Sequence, residues 1–113
     1  MKERKRLVKS LIEYEGDIND IIAQLSKYEF DSEPLVTLTR QNIIKVIEHF
    51  LKGAISTIEI EIWADAVEMR DDIEYEQNYE KVIADILFKL SEQEINEPIT
   101  ANLIKGMIVQ LET

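Results

Sequence analysis

The fold is decided by residues 56–72, which read STIEIEIWADAVEMRDD. Every second residue from 58 to 62 is isoleucine, and this period of two is typical of a β-strand. However, Ser56 and Glu59 have the spacing of a capping box, which begins helices. The segment then continues without a helix breaker and is longer than an ordinary strand. We therefore predict a helix.

The apolar residues of this predicted helix cover roughly half of its circumference, which is wider than a surface helix requires. We therefore expect it to be the most buried helix of the protein. Trp63 is expected in the core. Arg70 falls on the apolar side, where a guanidinium needs a carboxylate partner. The sequence thus predicts a structural ion pair at the helix end, with Asp71, Asp72 or a more distant acid.

Turn and cap residues divide the rest of the chain into further short helices. The expected boundaries are a first helix over 4–15 that Gly16 ends, a second after Asp17 that reaches Tyr28, a break over 29–38, a third between Thr39 and Gly53, a fifth after Asn78, and a sixth after Thr100. The expected fold is all-α, a single-domain bundle of about six short helices over residues 1–113. Residues 1–9 form a basic first turn that is expected either to fray or to pair with the protein's own acids.

Charge and composition exclude several classes of function. The chain has 113 residues, a formal net charge of −10 and no cysteine, so disulfides, thiolate nucleophiles and zinc–thiolate sites are excluded. Residues 1–10 hold five cations and one acid, so the remainder carries −14. Such an acidic surface repels nucleic acid and attracts basic partners. Without a membrane-length apolar run or a signal-peptide pattern, we expect a soluble cytoplasmic protein.

The candidate partner-binding site is an acidic stripe on the helix over 56–70. Four carboxylates recur at i, i+4, i+7 and i+11, and three more extend the charge: Glu61, Asp65, Glu68 and Asp72, then Asp71, Glu74 and Glu76. Two alternatives stay open, a plain solvated face and a site for a divalent cation. Neither an EF-hand loop nor a Glu-x-x-His pattern is present, and His49 is expected to be structural. No catalytic residue, cofactor or metal ligand is predicted, so we do not expect an enzyme.

Residues 50–76 carry a resemblance to a known group of proteins. They read FLKGAISTIEIEIWADAVEMRDDIEYE and are similar to the pattern fl.g.is..e.e.WA...E.RdDIe.e. This pattern is typical of small, acidic, helical bacterial proteins that include immunity proteins of toxin–immunity systems, among them contact-dependent growth inhibition. Residues 83–100 are similar to a second motif of that group, but residues 91–93 lack its small-residue and proline signature.

The resemblance implies a cytoplasmic protein that neutralises a cognate toxin by non-covalent binding, and it carries over no catalytic residue. Many such toxins are basic nucleases, which an acidic surface attracts. Our hypothesis is therefore an immunity protein, with no nucleic acid or membrane as partner. The alternatives are a general interaction or scaffold module, with a homodimer left open, and a small metal-dependent enzyme that uses the acidic stripe.

Overall fold

The computed structural model describes residues 2–29, 33–92 and 99–112, and these residues form an essentially all-α protein. The elements in chain order are α1 Lys2–Glu13, α2 Ile18–Leu25, β1 Val36–Leu38, α3 Arg40–Leu51, α4 Thr57–Glu68, β2 Ile73–Tyr75, α5 Glu80–Ser91 and α6 Ala101–Glu112. The all-α prediction is confirmed. None of these helices combines the length and the apolar character needed to cross a lipid bilayer.

Side-chain caps fix where several helices begin. At α4 the Ser56 hydroxyl accepts from the Glu59 amide at 3.1 Å, and the Glu59 carboxylate accepts from the Ser56 amide at 2.8 Å. This reciprocal pair satisfies amides that have no partner inside the helix. It explains why an alternating Ile/Glu segment forms a helix here. Thr39 and Asn42 form an equivalent capping box at α3.

Helix α4 has three exposed residues among its twelve, against five in α3 and five in α5, which agrees with the expectation that it is the most buried helix. Four of its side chains are buried, Ile60, Trp63, Ala64 and Val67, and α3 and α5 also bury four each. The opposite side of α4 is different, because Ile58 there is 68% exposed. The surplus apolar surface of α4 therefore lies outside the core.

Two short strands lie within the segments expected to be irregular. β1 and β2 pair in parallel, with Val36 opposite Ile73 and Leu38 opposite Tyr75. Leu38 is fully buried, so the pair anchors the two long connections of the chain to the core. Each strand has only three residues, which is too short for a periodic pattern to be recognised.

The basic first segment is folded rather than frayed. It forms the first turns of α1, and its residues Arg4, Leu7 and Val8 are all buried. α1 packs on α2, α3 and α4, while α4 and α5 make the most extensive helix–helix contact of the described elements. Trp63 joins α1 to α4, because its indole N–H donates to the Leu11 carbonyl at 2.7 Å.

Candidate functional site

The acidic side of α4, which consists of Glu61, Asp65 and Glu68, is only partly available to a partner. Asp65 is exposed, while Glu61 and Glu68 are half-buried. Glu68 accepts a hydrogen bond from the Ser91 hydroxyl of α5. Burial, and to a lesser extent the charge of Glu68, raises the pKa of Tyr75. Glu68 therefore belongs partly to the α4–α5 contact.

Glu61 and Asp65 are the freer carboxylates of this side. Among the described residues, no cation lies within ion-pair distance of either one, or of the exposed Asp71 just beyond the helix end. Carboxylates at i and i+4 on one helix repel each other by a few tenths of a kcal/mol. A cation brought by a partner would relieve that repulsion.

Asp72 does not belong to the predicted surface, and this is a correction to the stripe. Its side chain is completely buried between two guanidinium groups. Arg70 donates from Nε to Oδ1 at 3.0 Å and from Nη2 to Oδ2 at 2.9 Å, while Arg4 donates from Nε to Oδ2 at 3.1 Å. Asp72 is therefore a structural anion that ties α1 to the end of α4.

Arg4 extends this cluster toward the end of α2. Its Nη2 donates to the Glu29 carbonyl at 2.6 Å, and its guanidinium lies 5.4 Å from the centre of the Tyr28 ring. Pairing of the basic first turn with acids of the protein was one of two expectations, but the sequence did not indicate that Arg4 and Asp72 are the pair. Arg4 and Asp72 are 68 residues apart, so no local pattern connects them.

Glu76 is also engaged within the protein. It forms an ion pair with Arg40 at 3.0 Å, and the Arg40 amide donates to its other oxygen at 2.9 Å. These hydrogen bonds lower the pKa of Glu76. Arg40 in turn stacks 3.6 Å from the centre of the Tyr79 ring. Glu76 therefore fixes the start of α3 rather than offering a free charge.

The remaining residues singled out from the sequence, Glu74 and His49, lie apart from each other on the surface. Glu74 is exposed and accepts from the Thr37 hydroxyl at 3.1 Å, across the strand pair. His49 is exposed on α3, which does not fit the expected structural histidine. Within residues 2–29, 33–92 and 99–112, no three acidic or histidine side chains converge closely enough to hold a metal ion.

An apolar groove that the sequence analysis missed lies beside the acidic side of α4. It has a volume of about 280 Å³. Its apolar lining comes from α1, α2 and the C-terminal part of α4: Leu11, Ile22, Leu25, Ile62, Ala66 and Met69. Asp65 and Arg70 also line it. Leu11 and Leu25 are buried, whereas Met69 is 52% exposed, so the groove opens to solvent at the end of α4.

The sequence did contain a signal for this groove. Ile58, Ile62, Asp65 and Met69 recur at i, i+4, i+7 and i+11, which places them along one line of α4. We call Ile58, Ile62 and Met69 the apolar stripe. The unusual apolar width of the helix therefore combines its core face with this exposed line. Asp65 lies between Ile62 and Met69 along this line and is also part of the acidic side of α4.

Comparison with protein-family models, with curated proteins and with solved structures finds no match to this chain.

Proposed function

We propose that this protein is an immunity-type inhibitor that binds a basic protein, a cognate nuclease-type toxin, and neutralises it without chemistry of its own. The observation that carries the proposal is the pair of carboxylates Glu61 and Asp65 on α4, which no described cation neutralises. A net charge of −10 supports the same partner chemistry. The motif over residues 50–76 resembles immunity proteins, and this resemblance supports a toxin as the basic partner.

An acidic surface suits this function for two physical reasons. A nuclease must present cations to engage phosphates, so its active surface is positively charged. An acidic inhibitor is attracted to that same surface, which speeds association and directs the inhibitor to the site it has to cover. The inhibitor then competes with nucleic acid for the same cations.

The first test is capture of the partner from the native cell lysate at low salt, followed by mass spectrometry. We expect one basic protein at close to one equivalent, released by raised salt. Purified partner should cleave nucleic acid, and its activity should fall linearly to zero as one equivalent of this protein is added. Capture of nothing, or only of a second copy of this chain, would instead favour the scaffold alternative.

A matched pair of variants then tests the surface. Glu61→Lys with Asp71→Lys should weaken neutralisation by about tenfold or more, because like charges would face the partner's cations. Glu48→Lys with Asp85→Lys makes the same change in net charge at exposed positions on α3 and α5. This control should change the affinity by about threefold or less. Equal losses in both variants would show that total charge, rather than this surface, determines binding.

A further inference from the structure

The groove shares Ile62 and Met69 with the apolar stripe of α4, and the acidic side of the same helix adjoins it. Ile58 is 68% exposed and Met69 is 52% exposed, although both are large apolar side chains. Leaving such surface in water is unfavourable, because burial of apolar surface is favourable. A continuous exposed apolar surface with a polar edge is typical of a site for another protein segment.

The size of the groove defines what can enter it. A cavity of about 150 Å³ accommodates a benzene molecule. The groove has a volume of about 280 Å³, so it is large enough for a leucine or a phenylalanine side chain. The buried side chains Leu11 and Leu25 form its floor, so an inserted side chain would contact atoms that are already held in the core.

Charge defines what must accompany that side chain. Asp65 lines the groove, and among the described residues no cation lies within ion-pair distance of its carboxylate. Arg70 also lines the groove, but its guanidinium is held by Asp72 and is almost fully buried. Glu61 lies one turn before Asp65 on the same side of α4. The edge of the groove is therefore acidic.

We propose that the groove receives an amphipathic helix of a basic partner, with an apolar side chain in the groove and a lysine or arginine against Asp65. A helix binds in a groove through residues spaced one turn apart, and Ile58, Ile62, Asp65 and Met69 follow one another at that spacing along α4, with Asp65 as the acidic member. The inference rests on the proposed function, because it names the part of the basic partner that docks.

Three synthetic helical peptides of about 18 residues test the occupant at about 150 mM NaCl. The first has a leucine face bordered by lysines, the second the same leucine face bordered by glutamates, and the third the lysines with alanine replacing leucine. We expect the Leu/Lys peptide to bind at least about tenfold more tightly than each of the others. Equal binding of the Leu/Glu peptide, or of the Ala/Lys peptide, would overturn the proposal.

Variants of the protein locate the binding. Ala66→Trp fills the groove, and Met69→Lys places a cation at its exposed mouth. Each of these two variants should bind the Leu/Lys peptide about tenfold more weakly. Val109→Trp on α6 should change the affinity for this peptide by less than about twofold. Asp65→Lys should lower the affinity for the Leu/Lys peptide more than Asp85→Lys does. Unchanged affinity in both groove variants, with folding verified by circular dichroism, would overturn the groove as the site.

Two further outcomes separate this inference from the proposed function. If Glu61→Lys with Asp71→Lys weakens toxin neutralisation while Ala66→Trp and Met69→Lys do not, the function stands and the groove inference is wrong. If sedimentation shows that the protein alone dimerises and that Ala66→Trp abolishes the dimer, a second copy occupies the groove and the basic helix is excluded. Weakened neutralisation in both groove variants supports the inference directly.

Discussion

At the scale of single residues, the most consequential arrangement is one buried carboxylate shared by two guanidinium groups. Asp72 is completely buried, and Arg4 and Arg70 both donate to it. A buried ion pair contributes little net stability when formed, but removing one partner leaves a buried charge without its counterion. The consequence of a substitution therefore depends on which member of the cluster is lost.

We predict that Asp72→Asn lowers the free energy of unfolding by about 3–5 kcal/mol, because two buried cations lose the anion they share. Arg4→Met should cost less, about 1–3 kcal/mol, since the Asp72–Arg70 pair remains intact. Asp71→Asn, at the exposed neighbouring position, should stay within about 0.5 kcal/mol. Urea unfolding measures all three. An Arg4→Met cost equal to that of Asp72→Asn would contradict this ranking.

At the scale of elements, helix ends were the features that the sequence predicted best. The capping box of Ser56 and Glu59 uses residues three apart, so its hydrogen bonds are encoded locally. The strand pair and the Arg4–Asp72 contact join residues 37 and 68 positions apart. Such contacts depend on how the helices pack, and no periodic pattern in one segment specifies that packing. The α1 and α2 walls of the groove depend on the same packing, whereas its α4 side is a line of residues that the sequence does show.

Two glycines provide a matched test of how helix ends are specified. Gly53 follows α3 at φ +78°, a conformation in which a side chain is strained, whereas Gly106 lies inside α6. A Cβ would meet nothing within 4 Å at either position, so only backbone conformation distinguishes them. Gly53→Ala should destabilise the protein by about 1 kcal/mol, and Gly106→Ala should stabilise it by about 0.5–1 kcal/mol. Thermal unfolding would contradict this if both shifts had the same sign.

At the scale of the whole molecule, the acidic surface affects stability as well as binding. The net charge is −10, so acidic side chains repel one another in the folded state. This repulsion weakens as salt shortens the screening length from about 30 Å at 0.01 M to about 8 Å at 0.15 M. The described ion pairs are few, and the two that Asp72 forms with Arg4 and Arg70 are almost fully buried, so salt has little effect on them. Repulsion should therefore dominate the salt response.

We predict that the melting temperature rises between 0.01 M and 0.15 M NaCl by about 4 °C, which corresponds to about 1 kcal/mol. Asp85→Lys changes the net charge from −10 to −8 at an exposed position, so it should raise the melting temperature at low salt and reduce the salt response. A melting temperature that falls with salt would mean that exposed ion pairs outweigh the repulsion. If the prediction holds, the acidic surface is retained against a cost in folding stability, as expected when surface charge is used for binding.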